Sequence, residues 1–203
     1  MNDFEAEYRI ATDFDMTVGG FPDVLVKDWD RFLDKTYRRN VQDNTEWPEA
    51  PLEGWLIPPY WFSAVNDVVR TMFVVKYLDG VDYFGSKIEE TARDHGLAFT
   101  PSLEYTELGY YAGHIVVAMD LEVTLESWSM ETRKVLFEIQ VTTQVQEVIR
   151  RLLHRHYERH QLGETMDRPW QWDYESPQFS ANYLGHILHY LEGQIMKVRE
   201  END

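Results

Sequence analysis

Residues 107–123 read ELGYYAGHIVVAMDLEV, and the alternation inside them decides the architecture. From His114 onward Ile115, Val117, Met119, Leu121, Val123 and Leu125 take the odd positions, with His114, Asp120, Glu122 and Thr124 between them. A period of two is that of a strand with one buried face. The run RKVLFEIQVTT at 133–143 repeats it, with Val135, Phe137, Ile139 and Val141 on one face and Glu138, Gln140 and Thr142 on the other. Two such runs joined by a short acidic connection predict neighbouring strands of one sheet.

Outward from this pair the period changes to that of helices. QVQEVIRRLLHRHYERHQ at 144–161 directs Val145, Val148, Ile149 and Leu152 to one side, and a second helix is expected over 178–200. Upstream, VVRTMFVVKYL at 68–78 is a β-branched run typical of a buried strand, and DYFGSKIEETARDHG at 82–96 reads as a helix closed by Gly96. Val24, Leu25, Trp29, Phe32 and Leu33 recur at helical spacing after Pro22, which predicts an N-terminal helix over 22–40. The proline-rich stretch 44–62 is expected to be a loop anchored by Trp47, Trp55, Tyr60 and Trp61. The order of elements predicts an α+β fold, a mixed β-sheet flanked by helices, in one domain over 1–203 with its core at 55–160.

Composition narrows the function. A chain of 203 residues buries about 70 % of its unfolded surface in a single core. No window approaches the roughly 20 apolar residues of a membrane span, and the acidic first residues do not resemble a secretory signal, so a cytoplasmic protein is expected. Without cysteine there is no disulfide, thiol nucleophile or zinc-cysteine site. The 36 acidic and 19 basic residues give a net charge of −17, which opposes DNA and any extended nucleic-acid partner. A small polyanion then needs a local basic pocket or a metal ion.

Three polar positions lie on or beside strands otherwise given to burial: Asp67, His114 and Glu138. Asp67 and Glu138 suit a magnesium ion, which takes one or two carboxylates together with phosphate oxygens; the alternative is that Asp67 caps a turn and Glu138 faces solvent. Tyr110 beside Gly109 offers a flat face for a base, against an ordinary packing role. His154, His156 and His160 have the helical spacing of a zinc pair, but interleaved Arg150, Arg151, Arg155 and Arg159 favour a basic helix face able to hold phosphates.

The order NDVVRTMFVVKYLDGV, then GYYAGH, then FEIQVTTQVQEVIRRLLHRHYE resembles the synthetase domain of the RelA/SpoT family of alarmone synthetases, with its nucleotidyltransferase-like fold. That family places an aspartate before its first strand, a Gly-Tyr-Arg-Ser-Leu-His segment at a later one, and Glu-Ile-Gln-Ile-Arg-Thr before a helix. It transfers pyrophosphate from ATP to the 3′-hydroxyl of GDP or GTP, and some toxin members act on the 3′ end of tRNA. The resemblance implies that Asp67 and Glu138 are catalytic and hold Mg2+, that Tyr110 stacks on the acceptor guanine, and that His114 and Gln140 line the acceptor pocket. Phosphate contacts are then expected from Arg70, Lys76, Arg151 and His154. The family's arginines are replaced here by Met72, Tyr111 and Thr142, which raises a second expectation, a nucleotide-binding or regulatory module without turnover. A tRNA substrate is disfavoured by the charge. The apolar C-terminal helix, with Tyr183, Leu184, Ile187, Leu188, Leu191 and Ile195, suggests a homo-oligomer.

Overall fold

The computed structural model describes residues 2–106, 109–124, 127–160 and 169–201, with the side chains of the same residues apart from 2, 153–160 and 177. Helix α1 spans Asn2–Thr12, α2 Trp29–Tyr37, α3 Trp61–Ala64, α4 Leu78–Asp94, α5 Gln144–His160 and α6 Pro177–Glu200. Strands β1 (Leu25–Val26), β2 (Val69–Val75), β3 (Ala98–Tyr105), β4 (Tyr111–Thr124) and β5 (Met130–Thr143) form one sheet in the order β1-β2-β5-β4-β3. The β2–β5 pair is parallel and the others are antiparallel, so the fold is α+β with a mixed sheet.

The long alternating runs become β4 and β5, paired from Gly113↔Val141 to Thr124↔Met130. Leu125 lies outside the described residues. Phe137 and Ile139 of β5 and Val117 and Met119 of β4 line an apolar cavity with Phe84 and Ile88 of α4. By alternation Glu138, Gln140 and His114 project from the opposite face.

The predicted helix over 22–40 is corrected. Leu25 and Val26 instead form the edge strand β1, and the helix starts at Trp29, where Asp28 accepts from the N–H of Asp30 at 3.0 Å. A carboxylate cap that accepts from the first turn fixes that start, whereas Pro22 lies too far upstream to do so. Two further elements lack a legible period. Helix α1 is an acidic segment whose Tyr8 is buried, and β3 is an exposed edge strand containing Pro101, a position where a missing N–H is tolerated. The 44–62 loop is held by Leu56, whose backbone exchanges two hydrogen bonds with the Asn40 side chain at 2.9 Å each, while Trp47, Trp55 and Tyr60 are exposed.

Two apolar clusters carry the packing. Tyr8, Met16, Phe73, Val75, Phe84 and Val141 join α1, α4 and the sheet; Phe32, Leu56, Val65 and Val68 join α2 and α3 to the start of β2. The Tyr8 hydroxyl lies 3.0 Å from both Asp79 oxygens, and Arg199 also bonds Asp79, which ties α1, α4 and the end of α6 together.

The entrance to β4 is set by two glycines. Gly109 has φ +77°, and a Cβ there would lie 2.5 Å from the Asn182 carbonyl oxygen and 3.0 Å from the Gly185 Cα. A Cβ on Gly185 would in turn lie 2.4 Å from the Gly109 carbonyl oxygen. Only a pair of residues without side chains lets this turn cross α6 so closely. Tyr111 is then stacked on His189, with ring centroids 3.6 Å apart, and its hydroxyl lies 2.8 Å from Nδ1 of His186.

Candidate active site

Asp67 sits two residues before β2, where the antiparallel β1–β2 pairing delivers Lys27. The Lys27 N–H donates to the Val68 carbonyl at 2.8 Å, and its Nζ lies 2.5 Å from Asp67 Oδ2. Lys35, from α2, reaches Oδ1 at 2.7 Å. Burial by itself pushes the Asp67 carboxyl up, but the two ammonium groups outweigh it and hold it below the usual aspartate range. Lys27 has no legible signal in the sequence, because a strand of two residues shows no period.

Glu138 is carried by the middle strand of the sheet. Its Oε2 accepts from Gln140 Nε2 at 2.8 Å, as residues two apart on one strand face permit, and its Oε1 lies 3.1 Å from Nδ1 of His114. His114 faces Gln140 across the β4–β5 ladder. Burial raises the Glu138 carboxyl; His114 and Gln140 more than offset this, so that it too lies below the usual range. The charge of Asp67 pushes Glu138 the other way, which places the two carboxylates within electrostatic reach of each other.

An ionised carboxylate only accepts, so the His114 proton in this contact sits on Nδ1. His114 is 6 % exposed, its Nδ1 also lies 3.5 Å from Glu104 Oε1, and its buried Nε2 has no partner among the described residues. Glu104 was not legible as a site residue, because β3 lacks a strand pattern.

Arg70 is directly opposite Glu138 in the parallel β2–β5 register and has no ion-pair partner among the described residues. One step along the same face, Met72 is opposite Gln140; next comes Thr142, fully buried, with its hydroxyl donating to the Tyr111 carbonyl at 3.0 Å. Arg151, from α5, lines the same pocket as Met72 while its Nε lies 2.6 Å from Glu147 Oε1. A cation is thereby supplied from a helix to the part of the sheet where the strand itself has none.

Tyr110 is half-buried, and burial raises its phenol to about 12. Arg150 lowers it, while Glu104, Glu147 and Glu138 raise it, so the ring shares the surroundings of the carboxylate site and stays neutral. Arg150 pairs with Glu147 at 2.6 Å.

Lys76 is placed elsewhere. It pairs with Asp15 at 3.0 Å, about 20 Å from Arg70 along an extended strand. His154, His156 and His160 belong to α5, but their side chains lie outside the described residues.

Asp67 and Glu138 supply the oxygen donors that a magnesium ion favours, and both are ionised at neutral pH. Among the described residues no group of three or more His, Asp or Glu is arranged to hold a metal. A two-carboxylate site therefore depends on oxygens from a ligand.

No protein-family model matches the chain, and no curated protein matches its sequence. Solved structures do match. The small alarmone synthetase 1 from Bacillus subtilis is 16 % identical with a TM-score of 0.64, covering 98 % of this chain and 86 % of that one. A GTP pyrophosphokinase family protein from Streptococcus pneumoniae is 16 % identical with a TM-score of 0.61, covering 98 % and 86 %. The small alarmone synthetase 2 from Bacillus subtilis is 15 % identical with a TM-score of 0.58, covering 98 % and 93 %. The first of these has also been solved with its product pppGpp and with AMPCPP. The chain has the fold of these small alarmone synthetases over almost its whole length.

Proposed function

We propose that the chain is a nucleotide pyrophosphokinase that transfers pyrophosphate from ATP to the 3′-hydroxyl of GDP, GTP or a related nucleotide. The observation that carries this reading is the half-buried Glu138, ionised and oriented by His114 and Gln140, on the strand beside the one that bears Arg70 and follows Asp67.

In the reaction the acceptor 3′-oxygen bonds to the β-phosphorus of ATP, the bond from that phosphorus to the α,β-bridging oxygen breaks, and AMP leaves. The protein's part is positioning and charge placement. Glu138 keeps free lone pairs on both oxygens and takes the proton from the 3′-hydroxyl. Tyr110 offers the acceptor base a neutral aromatic face, with His114 and Gln140 beside it. Arg70, Arg151 and the two lysines on Asp67 supply cations for the phosphates. Asp67 and Glu138 would hold Mg2+, which neutralises charge developing on the phosphate oxygens.

A second reading is favoured by one observation: Met72, Tyr111 and the buried Thr142 stand where the resembled family has arginines. In that reading the same pocket binds nucleotide without turning it over. Incubation with magnesium, labelled ATP and GDP separates the two. Release of AMP that disappears in Asp67→Ala and Glu138→Ala supports the pyrophosphokinase; nucleotide binding without AMP supports the regulatory module. We further propose self-association through α6, which exposes Tyr183, Leu184, Ile187, Leu191 and Ile195. Among the described residues no helix is long and apolar enough to cross a membrane.

A further inference from the structure

On the α4 side of the sheet, away from the face that carries Glu138, a cavity of about 360 Å³ opens between the start of α4, the β3–β4 hairpin and the α5–α6 pair. Its polar lining includes Asp82, Glu104, Tyr105, Tyr111, Gln146 and His189, and among the described residues no lysine or arginine borders it. The Gln146 side chain is almost wholly buried, 1 % exposed. Its Nε2 donates to Glu192 Oε2 at 3.2 Å, which leaves Oε1 as a buried acceptor without a partner among the described residues. Behind it the buried Glu192 also has an unpartnered oxygen, Oε1, and His189 Nδ1 is unpartnered in the same way. Native interiors rarely leave so many polar atoms unmade at one place.

We infer that this cavity binds a small organic cation, an alkyl diamine or a guanidinium compound. An ammonium group carries donors and no acceptor, which complements Gln146 Oε1 and the carboxylate of Asp82. The rings of Tyr105 and Tyr111 give a cation a π-face, and Leu78, Val81 and Leu103 give its alkyl chain an apolar wall. His189 does not oppose this, because burial and the neighbouring His186 hold it below the usual histidine range, so that it is neutral at neutral pH. An anionic nucleotide is disfavoured in the same space, because among the described residues no lysine or arginine lines it while Asp82 and Glu104 do. The net charge of −17 raises the local concentration of cations at its mouth. The inference is independent of the pyrophosphokinase reading, since no atom of the proposed transfer takes part.

Isothermal titration of the full chain with putrescine and with agmatine, beside 1,4-butanediol as an uncharged isostere and at constant ionic strength, tests it. Saturable binding of at least one amine is expected, with no binding of the diol, and binding should weaken about tenfold or more in Gln146→Leu and in Asp82→Asn. Asp82 is exposed on α4, so Asp82→Asn reports even if Gln146→Leu does not fold. Absence of saturable amine binding, equal binding of the diol, or unchanged amine affinity in Asp82→Asn overturns the inference.

Discussion

Glu138 Oε1 and His114 Nδ1 lie 3.1 Å apart, carried on adjacent antiparallel strands and both largely shielded from solvent. The contact orients the carboxylate that the proposed reaction uses as its proton acceptor. It also makes Glu138 a stabilising group, with a definite pH signature. A carboxyl whose folded pKa is depressed contributes stability above its unfolded pKa and loses it as pH falls through the folded value. Glu138→Gln should therefore cost about 1–2 kcal/mol at neutral pH, by replacing charge-assisted hydrogen bonds with neutral ones. The gap from wild type should close as pH falls below the ordinary glutamate range. Denaturant unfolding at a series of pH values measures this; a gap that stays constant into strong acid contradicts it.

Lys27 holds Asp67 from the residue after β1, and the two side chains are 15 % and 18 % exposed. Lys27→Met leaves Lys35 as the remaining partner of a largely buried carboxylate. A loss of about 1–3 kcal/mol in unfolding free energy is expected, well above the value of an exposed pair. If Lys27 also serves the phosphates, the same variant raises KM for ATP more than it lowers stability alone can explain, as seen by assaying it well below its Tm. An unchanged KM removes Lys27 from the phosphate site.

Tyr110 separates stacking from hydrogen bonding. With its phenol raised to about 12, the side chain is uncharged throughout the working range. Tyr110→Phe should therefore keep the affinity for a guanosine nucleotide, while Tyr110→Ala should weaken it by about 1–3 kcal/mol. Fluorescence titration or calorimetry with GDP decides it. Equal weakening in both variants points to the hydroxyl rather than the ring.

Met72 faces Gln140 on the sheet face that carries Glu138. Met72→Arg adds a cation where the resembled family has one, and one charge-assisted phosphate contact is worth about 1.5–3 kcal/mol. The expected result is a gain of roughly tenfold or more in kcat/KM for ATP, or in ATP affinity if the protein binds without turnover. A loss of binding means that Arg151 already occupies that space.

The legible parts of this fold are those where one physical cause acts over many residues. Strands β4 and β5, 14 residues each, are readable because one apolar face recurs at every second residue along most of their length, although both faces are buried at the start of β4 and the end of β5. That alternation put Glu138 and Gln140 on one face, and the residue opposite Gln140 is His114. Strand β1, with 2 residues, is defined only by its partner β2, so Lys27 could not be anticipated as the cation on Asp67. Strand β3 is exposed along nearly its whole length, and α1 is acidic with its burial centred on Tyr8; both owe their form to tertiary contacts. Lys76 directly follows the strand that carries Arg70, yet the length of that extended strand separates them and Asp15 takes its charge.

The proposed transfer has one chief requirement, that Asp67 and Glu138 act as a unit on one divalent cation beside bound nucleotide. Its most direct measurement is a double-mutant cycle on Mn2+ affinity, read by electron paramagnetic resonance with a non-hydrolysable ATP analogue present, for wild type, Asp67→Asn, Glu138→Gln and the double variant. Each single substitution is expected to weaken the metal at least tenfold, with the double variant little worse than either. Metal affinity unchanged by one of the substitutions, or losses that simply add, would contradict it.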